Sequence, residues 1–370
     1  MIEEASTISD VLLASDEHAG RPHASFRLPT GATLVIPRRG ATRRGGLAIY
    51  NPQLITGLAA KGLMWSSLWP GRMVALRPEP LDELRTILAD HLGVRQIECA
   101  FQFGASGIYN KTVILVMDPA GRSLAYAKLA TLAIAQEAVR HETSVLKRLS
   151  TAVALRSQVP CLLGAAEWRG FPLLLISPGP ARRAPQVFGA MHRDFLARLR
   201  DATCTPGAFT ESPMWHAMMR LVNTWSSRLS PEWRNRYDWA FIELERRLGS
   251  VRLDLAFAHH DFAPWNTRVN ADGTLFVFDW EFSRDGWIPA WDFFHFHVTW
   301  WAARARALDG DAVTNLVAAA RREGIEPADD LLLGYLTDVA LFHHDAMLRE
   351  GREHHRVLEL AAQGIDVLRK

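Results

Sequence analysis

The sequence predicts an α+β protein in which a β-rich segment precedes a largely helical one. Residues 97–129 alternate short apolar runs with glycine-containing turns, a pattern typical of an antiparallel meander. From about residue 186 onwards, apolar residues recur mainly at helical spacing. At 370 residues the chain is longer than one hydrophobic core usually supports, so we expect two or three packed units.

The first expected unit is an amino-terminal extension, residues 1–95, with mixed α/β structure and no recognisable chemistry. A hairpin is predicted around Pro29–Gly31, where a turn sequence separates two short runs. A helix is predicted over 81–92, because leucines recur there at helical spacing before Gly93. The basic, glycine-bearing stretch 38–46 is interpreted as a solvated loop, with a phosphate contact as the alternative.

A β-rich lobe, residues 96–179, and a helical lobe, residues 180–370, follow the extension. The boundary is the break Ser177–Pro180, whose proline and glycine content is typical of a hinge. One β interruption, residues 255–278, separates the helices of the second lobe. The predicted elements of the β-rich lobe are strands over 97–103, 112–117, 124–129 and 171–176 and a helix over 132–149.

Charge and composition exclude several classes of function. With 42 Lys and Arg against 40 Asp and Glu, the net charge of +2 gives no reason to expect a nucleic-acid or anionic-membrane partner. The acidic amino terminus differs from a signal peptide, and no window has the roughly 20 apolar residues needed to span a bilayer. Three scattered cysteines predict neither a disulfide framework nor a zinc site, so we expect a cytoplasmic protein.

The β interruption places polar side chains just after two predicted strands. His259, Asp261 and Asn266 follow the first strand, and Asp279 follows the next one along the chain. Phosphoryl transfer needs a carboxylate that accepts the proton of the attacking hydroxyl, and oxygen ligands that hold Mg²⁺. Asp261 and Asn266 are five positions apart, the separation of the catalytic Asp and the metal-binding Asn in a kinase catalytic loop. We therefore predict Asp261 as the catalytic base and Asn266 and Asp279 as the metal ligands.

Two motifs in this region resemble those of the aminoglycoside phosphotransferase and choline kinase family. His259–Asn266 reads H-H-D-F-A-P-W-N, against H-G-D-x-x-x-x-N in the family, and Phe278–Glu281 reads F-D-W-E, against [IFV]-D-[WF]-E. Asp292 matches a further Asp that the family has after a short proline-containing loop, whereas His260 stands where the family usually has Gly. The resemblance covers about residues 97–300. It implies a bilobal protein-kinase-like fold that uses ATP and Mg²⁺.

The β-rich lobe supplies the expected lysine of a nucleotide site. The strand ending in Lys128 reads L-A-Y-A-K and resembles the V-A-I-K strand of kinases, whose lysine neutralises the α- and β-phosphates. Glu142 lies on the following helix, where it would pair with Lys128. Lys111 and Glu137 are the alternative residues for these two roles.

A glycine-containing loop precedes the lysine strand. Gly104 and Gly107 would let backbone amides approach the phosphates, and Ser106 would add a hydroxyl donor. Together with Lys128 and Glu142, these residues form the predicted nucleotide-binding set.

Three further residues have supporting roles in this interpretation. His259 would orient the catalytic loop by hydrogen bonding, and Asp292 would brace that loop or cap a helix. Glu281 would help to hold the metal or brace the loop around it.

Other histidines and tryptophans in this region carry weaker signals. His295 and His297 are two positions apart and would not share one face of a helix, so we interpret such histidines as packed or solvated residues and not as a zinc site. Most of the tryptophans are expected in the core. Trp287 is the candidate for an apolar wall against the acceptor.

The sequence thus predicts a kinase of a small hydroxylated molecule of the aminoglycoside, sugar or amino alcohol type. Only ten positions separate Glu281 from Trp291, which leaves no room for the long activation segment of a protein kinase. A protein kinase is therefore the less favoured enzyme. A non-catalytic nucleotide-binding scaffold is the alternative from another class of protein.

Overall fold

The computed structural model describes residues 7–14, 20–38, 40–50, 55–66, 71–105, 107–351 and 354–370. These residues form two compact units. The first unit contains the described residues up to Thr151 together with Pro160–Gly179. The second contains Ala152–Val159 together with Pro180–Lys370.

One antiparallel sheet forms the framework of the first unit. Its strands are β1 (Arg21–Arg27), β2 (Thr33–Pro37), β3 (Arg72–Leu76), β4 (Glu98–Phe103), β5 (Thr112–Met117), β6 (Ser123–Leu129), β7 (Leu162–Trp168) and β8 (Phe171–Ile176). They are ordered β3-β1-β2-β4-β5-β6-β8-β7. The helices of this unit are α1 (Ile8–Leu12), α2 (Gly40–Gly46), α3 (Ile55–Trp65), α4 (Pro78–Leu92) and α5 (Ala133–Leu149).

The amino-terminal extension contributes strands β1, β2 and β3 to this same sheet. The junction is between β2 and β4, where Leu34 pairs with Gln102 and Val35 with Phe101. The predicted hairpin is present as β1 and β2, and the predicted meander as β4, β5 and β6. The extension therefore covers the edge of the strand that begins the meander.

Strand β2 shows why both faces of this sheet are covered. Successive side chains of a strand point to opposite faces. Leu34 and Ile36 accordingly pack in one apolar cluster and Val35 in another. Helix α4 supplies part of the cluster around Val35, and Gly93 ends that helix in a left-handed conformation with φ of 64°.

The stretch predicted as a solvated loop contains helix α2, so this prediction is wrong for Gly40–Gly46. Glycine is required there by close packing. A Cβ on Gly45 would collide with the backbone carbonyl of Gly121, and a Cβ on Gly121 would collide with that of Ala41. The glycines therefore allow the helix to contact the turn between β5 and β6.

The second unit is mainly helical. Its strands are β9 (Thr205–Ala208), β10 (Arg252–Ala258), β11 (Thr267–Val269), β12 (Leu275–Val277) and β13 (Arg284–Trp287). Strand β10 lies between β9 and β13, and β11 and β12 form a hairpin. The helices are α6 (Ala190–Thr203), α7 (Pro213–Trp225), α8 (Pro231–Leu248), α9 (Trp291–Ala303), α10 (Gly310–Arg322), α11 (Ala328–Glu350) and α12 (Arg356–Leu368).

Helix α11 lies at the centre of the second unit. Every residue from Leu331 to Leu341 is buried, which shows that the helix is packed on all sides. It contacts α7, α8, α9 and α12. In the parts of the chain that the structure describes, no helix combines the length and apolar character needed to cross a membrane.

The two units together have the α+β composition that the sequence predicts. A β-rich unit with one large sheet precedes a unit made mostly of helices.

Candidate active site

A buried ion pair joins β6 to α5 in the first unit. The Nζ atom of Lys128 lies 2.7 Å and 2.6 Å from the two carboxylate oxygens of Glu142. Glu142 is fully buried within the apolar face of α5, whereas the alternative Glu137 is exposed. Because isolated charges are rarely buried, this placement ties the helix to the lysine strand.

The predicted glycine loop connects β4 to β5. Gly104 donates its N–H to the carbonyl of Lys111, and a Cβ at Gly104 would require the side chain of Asn110 to move. Gly107 accepts a hydrogen bond from the N–H of Asn110. Ser106 lies outside the described residues. Local packing therefore favours glycine at position 104, independently of any contact with phosphate.

In the second unit, the chain leaves β10 into the loop that carries Asp261. The Asp261 side chain is 28% exposed. The Nδ2 atom of Asn266 donates to the backbone carbonyl of Asp261 at 2.9 Å and to its Oδ2 atom at 2.8 Å. The loop thus closes on itself through the two residues that the sequence pattern links.

The hairpin of β11 and β12 brings Asn266 and Asp279 to the same end. Asn266 immediately precedes β11, and its carbonyl accepts the N–H of Phe278 at 3.1 Å. Asp279 is the next residue and has a left-handed backbone, with φ of 73°. Glu281 is buried, and its carboxylate lies within 4.8 Å of that of Asp279. Oxygen donors of the type that Mg²⁺ prefers are therefore concentrated here.

Asp292, at the start of α9, contacts the backbone at the beginning of the loop. Its two carboxylate oxygens accept the backbone N–H groups of His259 at 2.7 Å and of His260 at 3.1 Å. Burial raises the pKa of Asp292 to about 7, against the lowering effect of these hydrogen bonds. These two bonds connect the loop to α9, and bracing of the catalytic loop stays the predicted role of Asp292.

His259 links the loop to the hairpin. Its Nε2 atom lies 3.0 Å from the carbonyl oxygen of Phe278, and its Nδ1 atom accepts the N–H of Asp261 at 3.2 Å. A carbonyl only accepts, so the proton of the neutral ring is on Nε2. Burial lowers the pKa of His259 to about 4, which keeps the ring neutral near pH 7.

His260 has a left-handed backbone, with φ of 66°. This conformation costs a non-glycine residue roughly 1–2 kcal/mol, which gives a physical reason for glycine at such a position. The imidazole is buried, with 4% exposure, and is directed towards α11. The departure from the family pattern therefore leaves the loop in the conformation that glycine would permit.

His295 is a site residue that the sequence interpretation missed. Its Nε2 atom lies 3.5 Å from Oδ1 of Asp261, a contact slightly longer than an ordinary hydrogen bond. Its Nδ1 atom is 3.3 Å from the hydroxyl of Tyr335. Residues three apart share a helix face, so the spacing from Asp292 to His295 was the available signal. Burial lowers the pKa of His295 to about 3.

Trp287 does not provide the exposed wall that we predicted from the sequence. It is only 5% exposed, and its Nε1 atom donates to Asp338 at 2.9 Å. Asp338 is a second residue that the sequence interpretation missed, and it is 78 positions from the loop residue His260 that it contacts.

The arrangement in the second unit can orient a proton acceptor. Asp261 is accessible, while Asn266 and His295 face its two carboxylate oxygens. Asn266 is uncharged, and the low pKa of His295 keeps its ring neutral near pH 7, so neither side chain neutralises the carboxylate. Such a group can accept a proton from a hydroxyl placed at hydrogen-bonding distance.

Comparison with known proteins identifies the family to which this chain is similar. A family profile described as "Phosphotransferase enzyme family" matches residues 101–336. Aminoglycoside phosphotransferase APH(4)-Ia is similar in structure, with a TM-score of 0.54 and 13% identity, over 78% of this chain and 98% of that chain. A thermostable mutant of that enzyme, in a ternary complex with AMP-PNP and hygromycin B, gives a TM-score of 0.54 and 14% identity over the same shares.

A third solved structure is the GDP complex of wild-type aminoglycoside 2'-phosphotransferase-IIIa. It has a TM-score of 0.50 and 12% identity, and the match covers 77% of this chain and 95% of that chain. At these identities the likeness concerns the fold, and it confirms the protein-kinase-like fold class predicted from the sequence. No curated protein sequence matches. The family profile covers more than half of the sequence, and the chain belongs to the phosphotransferase enzyme family.

Proposed function

We propose that this protein transfers the γ-phosphoryl group of ATP to a hydroxyl of a small molecule, with Asp261 as the catalytic base. The observation that carries the proposal is the Asp261 carboxylate, 28% exposed and oriented by Asn266 at 2.8 Å. A base must reach the hydroxyl proton within about 3 Å, which requires an accessible and oriented carboxylate.

Asn266 and Asp279 are the proposed Mg²⁺ ligands. The Oδ1 atom of Asn266 and the carboxylate of Asp279 are hard oxygen donors, and they come from the same end of the β11–β12 hairpin. The Asp279 and Glu281 carboxylates lie within 4.8 Å of each other, a separation at which like charges repel. When bound by these residues, Mg²⁺ would supply positive charge that offsets the repulsion within this pair and the negative charge of the nucleotide phosphates.

The chain's own groups then have distinct roles. An Asp261 oxygen accepts the proton of the acceptor hydroxyl, while the amide of Asn266 and the imidazole of His295 fix the direction of the carboxylate. In the first unit, Lys128 binds the α- and β-phosphates, and Glu142 holds its side chain in place. Backbone amides of the loop containing Gly104 and Gly107 approach the phosphates.

The proposed acceptor is a small molecule. Ten positions separate Glu281 from Trp291, and β13 occupies part of them, which supports a short connection in place of a protein-kinase activation segment. Aminoglycosides, sugars and amino alcohols are the classes to test. The thermostable mutant of APH(4)-Ia forms a complex with AMP-PNP and hygromycin B, whereas the 2'-phosphotransferase forms a complex with GDP, so both ATP and GTP need testing.

We also propose that the protein acts in the cytoplasm. Its three cysteines are free thiols, of which Cys161 and Cys204 are exposed. Exposed thiols persist in a reducing compartment, which is also where ATP is supplied.

The test is transfer of label from γ-labelled ATP or GTP to a panel of these acceptors. We expect one class to be labelled, and we expect Asp261→Asn and Asp279→Asn to lower the rate by about 10²- to 10⁴-fold. Asp309→Asn, at the exposed amino-terminal cap of α10, is the matched control and should retain full activity. Nucleotide binding without transfer to any acceptor would favour the scaffold, and labelling of proteins alone would favour a protein kinase.

A further inference from the structure

The residue before Asp261 is held in an unusual backbone conformation. His260 has φ of 66°, in the left-handed region that glycine adopts readily and that a bulky side chain rarely does. Residues in such conformations persist when the surrounding structure fixes them. The contacts of the His260 side chain are therefore the place to look for that restraint.

The imidazole of His260 is buried among side chains of the second unit. Its Nε2 atom lies 3.1 Å from Oδ2 of Asp338 on α11. Its ring stacks on Trp291, with centroids 3.8 Å apart and an angle of 14° between the planes. Phe342 and Trp287 meet the ring edge-on, with centroids at 5.4 Å and 5.9 Å. The ring is therefore restrained in both position and orientation.

Asp338 accepts three hydrogen bonds at one oxygen. Besides His260, the indole nitrogens of Trp287 and Trp291 donate to Oδ2 at 2.9 Å and 2.8 Å. Indole nitrogens only donate, so the carboxylate is the common acceptor of the group. Asp338 is only 3% exposed, so these three donors take the place of the water molecules that would solvate an exposed carboxylate.

The hydrogen-bonding pattern assigns one tautomer to His260. A carboxylate accepts from Nε2, so Nε2 carries the proton and Nδ1 is left as an acceptor. Nδ1 has no hydrogen-bond partner among the described residues. Burial lowers the pKa of His260 to about 4, in agreement with a neutral ring.

We propose that His260 is a positioning residue for Asp261. Asp338 holds the His260 imidazole, and the imidazole fixes the left-handed turn from which Asp261 projects. Asp292 holds the other side of the same residue through its backbone N–H at 3.1 Å. Residue 260 is thus held at its backbone by Asp292 of α9 and at its side chain by Asp338 of α11. This inference rests on the proposed function, because it assigns a role relative to the proposed base.

The variant His260→Gly tests whether His260 positions Asp261 or is only tolerated at this point of the loop. His260→Gly relieves the backbone cost and removes the contact with Asp338. If His260 positions Asp261, kcat falls about 10-fold or more while KM for ATP is unchanged, because the nucleotide contacts are elsewhere. If histidine is only tolerated at this position, His260→Gly has equal or higher kcat, and the proposal is overturned.

A double-mutant cycle tests whether Asp338 acts through His260. Asp338→Asn should also lower kcat, and the double variant His260→Gly/Asp338→Asn should be no worse than the poorer single variant. Multiplication of the two losses in the double variant would show independent effects and would contradict the proposal. Should the glycine variant fail to fold, His260→Asn carries the same test, because Asn tolerates the left-handed region.

His344→Gln is the matched control. His344 is another buried histidine on α11, and its Nδ1 atom lies 2.6 Å from the hydroxyl of Tyr237. This substitution removes a buried imidazole with a polar partner outside the Asp261 loop. We expect its unfolding midpoint to fall without a change in kcat. A matching loss of kcat would indicate that general destabilisation explains the effect at His260.

A nuclear magnetic resonance measurement separates failure of this inference from failure of the proposed function. In ¹⁵N-histidine-labelled protein, His260 should give the Nε2–H tautomer near pH 7, and Asp338→Asn should change that signal. The Asp261 ¹³Cγ signal should move in His260→Gly but not in His344→Gln. If the wild-type protein transfers no phosphoryl group, the proposed function fails. An Asp261 signal that does not move in His260→Gly would overturn the positioning role, whether or not the protein transfers phosphoryl groups.

Discussion

The bracing carboxylate of Asp292 gives the most quantitative prediction. In Asp292→Asn the side chain keeps one oxygen, so one of the two backbone N–H groups that it now binds loses its acceptor. A buried donor without an acceptor costs about 1–3 kcal/mol. This local loss refers to the ionised carboxylate, and its dependence on pH is contained in the pKa of Asp292.

A second contribution depends on pH. The pKa of Asp292 is raised to about 7 in the folded protein, from 3.8 as the reference for the unfolded chain. Between these values the native state binds one proton more than the unfolded state, so the contribution to stability is full at low pH and declines as pH rises through 7. From pH 5 to pH 8 this amounts to about 3 kcal/mol. Asn cannot titrate and lacks this contribution.

The assay is urea unfolding of the wild type and of Asp292→Asn at several pH values. We expect the stability difference between the two proteins to be larger near pH 5 than near pH 8 by about 3 kcal/mol. Taking the difference cancels groups that titrate alike in both proteins. Asp309→Asn, at an exposed helix cap, should change stability by less than about 1 kcal/mol. A difference that stayed constant, or grew towards pH 8, would refute a buried carboxyl with a raised pKa.

Three other outcomes follow from the same contacts. The wild type should lose stability as pH falls from about 6.5 to 4, measured by urea midpoint, because burial lowers the pKa of histidines such as His259 and His344 to about 4 and the unfolded chain binds their protons first. His295→Ala should lower kcat about 10-fold without raising KM for ATP in steady-state assays, since its Nε2 atom faces Asp261. Lys128→Met should lower kcat/KM for ATP about 10²-fold in the same assays, because its charge is the proposed phosphate contact.

Elements with a clear periodicity were predictable from the sequence. Helix α4 ends at Leu92, as its leucine spacing and the following Gly93 indicated. Strand β8 has the bounds that were predicted for it. In these elements one face is apolar or a turn residue ends the run, so the local sequence contains the necessary information.

Elements without such a contrast were missed. Helix α9 is buried nearly all round and contains aromatic residues on every face, so no apolar stripe distinguishes it from a strand. Helix α2 is rich in glycine, which disfavours helix in isolation. The close approach of Gly45 to Gly121 outweighs that propensity, and only the folded sheet brings these two residues together.

The residues of the candidate site show the same difference between local patterns and contacts made by packing. Asp261, Asn266 and Asp279 lie within 18 positions, and their order along two strand ends was enough to group them. The contacts of His295 and Asp338 depend on how α9 and α11 pack beside the loop, which no local pattern specifies. Sequence spacing therefore identified the proposed chemical groups but not the residues that fix their orientation.

Replacing a glycine by histidine in this loop involves more than one position. The imidazole needs an acceptor, which is Asp338, and a flat surface, which is the Trp291 ring. Asp338 in turn is buried and needs donors, which Trp287 and Trp291 supply along with His260. Removal of Asp338 takes the acceptor from three buried donors, whereas removal of one donor leaves the carboxylate with two, so we expect substitution of Asp338 to be the most costly. Joint replacement by a glycine and apolar residues can restore a consistent set, because a fully unmade polar network costs less than a half-made one.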